Sequence, residues 1–178
     1  YRFGISFAKL YSALNGVEPA RYKEYVSTLY GDEAFKLNLY PIAFDSTDAS
    51  LWKQNRLEEL TGFAEKHLFQ TWCFYNRFPV FAQLVRNHKP RIVIGTGVTY
   101  LREYFACFGG DRDSSARIQS AEVLQEPEAK KSTTRRIYWV SINKETTLFV
   151  IPYFSGQHGL NSDYLLGEVG RKIREVTS

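Results

Sequence analysis

Methionine is absent from this chain of 178 residues, and cysteine occurs only twice. A native chain of this size usually holds a few methionines, and this one begins at Tyr1. It is therefore expected to lack its native N-terminal segment. Cys73 and Cys107 stand far apart in apolar contexts, which predicts free buried thiols rather than a disulfide framework. Free thiols suit a reducing compartment, so a cytoplasmic location is expected. No run of about 18 apolar residues exists to cross a membrane, and no signal-peptide pattern opens the chain. Of the three histidines, His67 and His88 have no Cys, His or carboxylate at ligand spacing and His158 lies in a polar loop, so no metal site and no cofactor are expected. The nucleophile pattern G-x-S-x-G is missing too, because Ser155 is followed but not bracketed by glycine. No internal repeat or low-complexity tract is visible.

What is present points to one domain over residues 1–178 with a substantial core. Lysine and arginine outnumber aspartate and glutamate by 23 to 19, a balance that permits an anionic partner without demanding one. Aromatic residues make up 16% of the chain, and they can fill a core or stack on bases.

Apolar spacing predicts a helix over 3–14 and a second opening at Pro19, with Tyr22, Tyr25, Val26 and Leu29 on one face. Residues 35–44 read as a strand running into a loop at Pro41. From Leu51 to Lys89 the chain is strongly helical, with Leu57, Leu60, Ala64, Leu68 and Trp72 forming one stripe. A helix from Pro79 turns Val80, Phe81, Leu84 and Val85 inward. Arg91 to Gly95 is a short apolar run of the kind buried on both faces of a parallel sheet. Gly95-Thr96-Gly97 then turns into another helix, an α/β signature. Three strands follow, over 118–124, 136–143 and 147–154, with a hairpin turn at Asn143. The last helix starts near Ser162 or Asp163. The segment 126–136 is polar, and its Lys130, Lys131, Arg135 and Arg136 suit a solvated loop or a DNA-contacting arm.

The densest set of hydrogen-bonding groups lies in LFVIPYFSGQHGLNS, residues 148–162. A strand emptying into such a loop marks the edge where α/β proteins hold ligands. Gly95-x-Gly97 is a weaker signal, since Tyr100 occupies the third glycine position of a dinucleotide fingerprint. Asn38, in KLNLYP, offers a donor and an acceptor side by side, the complement of a nucleobase edge.

In these residues the chain resembles the uracil-DNA glycosylase superfamily. Leu37-Asn38-Leu39-Tyr40-Pro41 is similar to the family strand whose Asn reads the base. Residues 89–97 are similar to the central strand and its turn. Residues 152–162 are similar to the C-terminal motif that enters the duplex. The resemblance implies a three-layer α/β/α sandwich with a mainly parallel central sheet, and a monomer that binds DNA. It implies flipping of a deaminated or damaged base and hydrolysis of its N-glycosidic bond. It places Asn38, Tyr40 and Phe44 at the base. Tyr153 and His158 fall at the catalytic position, and Ser155, Gly156, Gln157, Gly159, Leu160 and Asn161 on the DNA, with Leu160 as an apolar wedge. Tyr153 stands where the family carries a histidine, and a phenol, neutral when protonated, cannot supply the positive charge of an imidazolium. The family's Gly/Pro-rich first motif is not found before Asn38. A non-catalytic nucleic-acid-binding member of the same fold is the alternative. A Rossmann-like enzyme binding a nucleotide or metabolite at Gly95 to Gly97 is a second.

Overall fold

Every residue from Leu148 to Ile151 is fully buried, and their side chains alternate between two clusters. Leu148 and Val150 join one cluster, while Phe149 and Ile151 join the other. A strand apolar on both faces needs cover on both sides, and the chain supplies helices for each. The computed structural model describes residues 2–27, 31, 33–42, 49–109, 117–123 and 134–178. Its elements are α1 (Arg2–Leu14), a 3-10 helix (Pro19–Tyr25), α2 (Ser50–Gln54), α3 (Leu57–Thr61), α4 (Lys66–Asn76) and α5 (Phe78–His88). There follow β1 (Ile92–Thr96), a 3-10 turn (Val98–Tyr100), α6 (Leu101–Phe108), β2 (Gln119–Val123), β3 (Arg135–Ser141), β4 (Thr147–Ile151) and α7 (Asp163–Thr177).

Among the described residues the sheet has four strands in the order β1-β4-β3-β2. Only β1 and β4 run parallel, with Ile94 beside Phe149. The β2–β3 and β3–β4 pairs are antiparallel. The mainly parallel sheet implied by the resemblance is thus replaced by a small mixed one. A tight turn can join only antiparallel neighbours, and β3 and β4 are joined by such a turn. Ile142 N–H donates to the Thr146 carbonyl at 2.9 Å, and Asn143 Oδ1 accepts from the amides of Glu145 and Thr146 at 2.8 Å each. The run at 91–95 also departs from expectation. Among the described residues β1 is an edge strand with four of its five residues only half-buried, not a central strand.

On one face α1 and α7 pack together over Ile137, Trp139, Phe149 and Ile151, using Leu10, Leu165, Leu166, Val169 and Ile173. Trp139 and Phe149, register partners on β3 and β4, stack with ring centroids 6.3 Å apart. On the other face α5 and α6 cover Val140, Leu148 and Val150 with Phe78, Phe81, Val85, Cys107 and Phe108. A third cluster joins Trp52, Leu57, Phe69 and Cys73, and the Trp52 indole donates to the Phe63 carbonyl at 2.9 Å.

The expected stripe from Leu57 to Trp72 is broken. Gly62, at φ +76°, ends α3 in the left-handed region that glycine tolerates, so residues 57–72 are not one helix. Beyond that break Phe69 and Cys73 turn inward, while Leu60 is 75% exposed and Leu68 and Trp72 lie on the surface. Val80 is likewise exposed, whereas Phe81 and Val85 are buried as expected. The segment from Pro19 forms a 3-10 helix with no buried residue rather than an amphipathic α-helix. The strand expected over 35–44 does not form across its described part: residues 34–38 are irregular and 39–42 bend.

Candidate functional site

Because β1 and β4 are parallel, both carboxyl ends lie at one edge of the sheet, the edge that in open α/β sheets faces ligands. Gly97 N–H donates to the Ile151 carbonyl at 2.8 Å. This bond carries the ladder past β1 and pins the Val98–Tyr100 turn beside the start of the loop after β4. Since β3 is antiparallel to β4, its first residue also lies here. Extending the register from Tyr138 beside Val150 brings Arg135 level with Tyr153.

The loop divides its residues between anchors and displayed groups. Pro152, Phe154, Gly159 and Leu160 are buried, while Tyr153, Ser155, Gly156, Gln157, His158 and Asn161 are exposed. Leu160 N–H donates to the Tyr153 carbonyl at 2.7 Å, closing the base of the loop, and Gly159 N–H donates to the Gly156 carbonyl at 3.1 Å. Asn161 Nδ2 donates to the same Gly156 carbonyl at 3.3 Å. A Cβ on Gly159 would press into the Ser155 carbonyl oxygen, so the closed shape requires glycine there. Tyr153 is 48% exposed and rests against Phe3, its ring centroid 6.0 Å away.

Leu160 is fully buried within the cluster under α1 and α7. The wedge role implied by the resemblance is therefore corrected: this side chain holds the loop down and does not project from it. Gly159 is buried beside it.

Lys130 and Lys131 lie outside the described residues, and Arg135, expected in a solvated loop or a DNA-contacting arm, is instead the buried first residue of β3. Its guanidinium, on a residue only 6% exposed, donates from Nε to the Gly159 carbonyl at 2.7 Å and from Nη2 to the Gln157 carbonyl at 3.2 Å. The available signal was alternation. Arg135, Ile137 and Trp139 share the buried positions of β3, and an arginine in such a row needs internal partners.

Tyr40 reaches the same edge from elsewhere. Its ring meets Tyr100 at 6.0 Å and Phe78 at 5.9 Å. Burial, reinforced by the nearby Glu103 charge, pushes the Tyr40 phenol well above its ordinary range, and the same causes raise Tyr100. Both therefore remain protonated and can donate a hydrogen bond. Glu103 Oε2 is itself buried with no hydrogen-bond partner. Asn38 is exposed, its carbonyl accepting from Arg77 Nη2 at 3.4 Å, and the neighbouring Leu39 is the buried anchor of the segment. Phe44 lies outside the described residues. The structure thus brings Tyr40 to the turn after β1. Among the described residues no hydrogen bond or ring contact joins Asn38 or Tyr40 to Tyr153 or His158.

Gly95 to Gly97 sits on an edge strand with β4 as its only described neighbour. Among the described residues it has no crevice between diverging parallel strands of the kind a Rossmann site uses. Among the described residues no group of three or more His, Cys, Asp or Glu could hold a metal, and no helix is long and apolar enough to cross a membrane. Cys73 and Cys107 are buried and free. His67 pairs with Glu65 at 3.1 Å on the surface. A separate concavity of about 410 Å³ is lined by residues that include Trp52, Lys53, Lys66 and Gln70 and by none of the candidate site residues.

No protein-family model, no curated protein and no solved structure matches this chain.

Proposed function

We propose that this protein binds DNA at the carboxyl end of β1 and β4 and acts there on a single base displaced from the stack, cleaving its N-glycosidic bond. One observation carries the choice of site: three chain segments, 37–41, 97–104 and 152–161, are tied to one edge of the sheet through Tyr40, Tyr100 and the Gly97–Ile151 bond. The reaction itself rests on the motif resemblance. An enzyme working on a base must take it out of the duplex and hold its edge and face. The exposed Asn38 amide suits the edge, and the Tyr40 and Tyr100 rings suit the face. Ser155, Gln157 and His158 are displayed where a sugar–phosphate chain would pass.

Binding without cleavage is the second reading. Tyr153 favours it, because a neutral phenol stabilises a departing base anion less than a charged imidazole does. Incubation with uracil-containing single- and double-stranded oligonucleotides, followed by assay for abasic sites, separates the two. Abasic sites that fall by about tenfold or more in Asn38→Ala, the scale of one lost bidentate base contact, support excision. Salt-sensitive binding without abasic sites supports the second reading. Absence of both removes DNA as the partner.

A further inference from the structure

We propose that Arg135 is the positioning residue of the 152–161 loop, fixing the Gln157 and Gly159 carbonyls inward so that the loop's free amides and polar side chains face a ligand. Arg135 occupies a core-facing position between apolar residues. Ile137 and Trp139 follow it on the same face of β3, and Val123 stands opposite it on β2. An apolar side chain of similar volume would cost less to bury there. What an apolar residue could not supply is the forked set of donors, and this fork reaches both Gln157 and Gly159, from a residue more than twenty positions earlier in the chain.

The consequence is an asymmetry in the loop's backbone. The carbonyls of Tyr153, Gly156, Gln157 and Gly159 all accept hydrogen bonds from within the molecule. Among the described residues, nothing accepts from the amides of Ser155, Gly156, Gln157 and His158. No acidic residue lies between Pro152 and Ser162, and Asp163 just beyond is paired with Lys9 at 2.6 Å. With the Tyr153, Gly156, Gln157 and Gly159 carbonyls engaged inside the molecule, the four amides from Ser155 to His158 are the donors left for a ligand. That the ligand is the DNA backbone rests on the function proposed above. The positioning by Arg135 does not.

Arg136 provides the control. It is the adjacent residue with the same charge, but it points to the opposite face of β3 and pairs on the surface with Glu122 at 2.8 Å. The test compares the unmodified protein with R135Q, R135K and R136Q by amide hydrogen exchange and by anisotropy titration of a fluorescent oligonucleotide. Exchange at Gly159 and Leu160, the loop amides that are hydrogen-bonded, should accelerate about tenfold or more in R135Q, the scale of losing bonds to a charged group. Exchange in β4 and α7 should stay as it was. R135K, a single point of donation, should fall between, and R136Q should leave the loop unchanged. Oligonucleotide affinity should follow the same order. Unchanged loop exchange in R135Q, or acceleration spread evenly over the whole chain, overturns the proposal. If R135Q does not fold, R135K decides alone: faster exchange confined to the loop supports the proposal, and unchanged exchange overturns it. If the unmodified protein binds no oligonucleotide, the DNA reading fails while the exchange result still judges Arg135.

Discussion

The ring of Tyr40 meets the ring of Tyr100 edge-on at 6.0 Å, and through this contact the 37–42 segment is fastened to the turn after β1. Burial is the larger cause of the raised Tyr40 pKa and the Glu103 charge the second. Ionisation of Tyr40 would place an anion beside the Glu103 carboxylate, whose buried Oε2 has no hydrogen-bond partner among the described residues. Tyr40 is therefore expected to stay protonated while exposed tyrosines titrate at about pH 10. Tyr40→Phe should leave the amplitude of the phenolate absorbance step near that pH unchanged, and reduce only the step that accompanies alkaline unfolding. A loss of amplitude near pH 10 would show that Tyr40 is freely solvated.

Cys107 makes a sharper pH argument. Burial pushes its thiol up to about 12, from an ordinary value of 9.0. Its Sγ lies 3.7 Å from the Phe78 carbonyl. The folded state then holds a proton that the unfolded state releases between those two values. The stabilising contribution is fully present below pH 9 and is lost as pH rises toward 12, with a limiting slope of about 1.4 kcal/mol per pH unit. Urea unfolding midpoints measured from pH 8 to 10.5 should fall with pH, and Cys107→Ala should flatten part of that fall. The same thiol should react with a disulfide reagent only under unfolding conditions.

Much of this architecture was legible because it depends on local rules. The segments 136–143 and 147–154 and the turn at Asn143 read as two strands and their hairpin, and β3 and β4 form there. Proline at 79 and the polar residue at 162 marked the start of helices. The order of strands was not legible, because pairing depends on long-range contacts, and the apolar run at 92–96 fits an edge strand as well as a central one. An isolated glycine such as Gly62 is tolerated inside a helical pattern as well as at its end, and because it ends α3 the stripe from Leu57 to Trp72 does not share one face. In the loop, a leucine among polar neighbours reads equally well as a projecting wedge or an inward plug. Only the fold around Leu160 decides between them.

Ser162 is the clearest local device, and its value can be measured. Its Oγ accepts from the Leu165 amide at 3.3 Å, with extended backbone at Ser162 itself. Asp163 adds an acidic group in the first turn, where it suits the helix dipole. Ser162→Ala is expected to cost about 1 kcal/mol, the ordinary value of an N-cap. Denaturant titration should record this as a lower midpoint with an unchanged slope, and a cost near zero would mean that the cap is not formed in solution.

The strongest stability effect is expected at Leu160, where the wedge and plug roles give opposite outcomes. A projecting wedge contributes nothing to the free protein, so its truncation would leave stability within about 0.5 kcal/mol of the original. A plug packed with Phe154, Leu165 and Leu166 leaves a cavity when shortened. Leu160→Ala is therefore expected to lower the unfolding free energy by about 2–5 kcal/mol. The loss should appear without any DNA present, in equilibrium denaturation of the free protein. Because Leu160 closes the loop through its bond to the Tyr153 carbonyl, the same substitution should also loosen Ser155 to His158. Leu160→Met, which keeps the volume, should recover most of both effects, at a cost below about 1.5 kcal/mol. A Leu160→Ala protein as stable as the original would place this side chain outside the core and return it to the face of the loop.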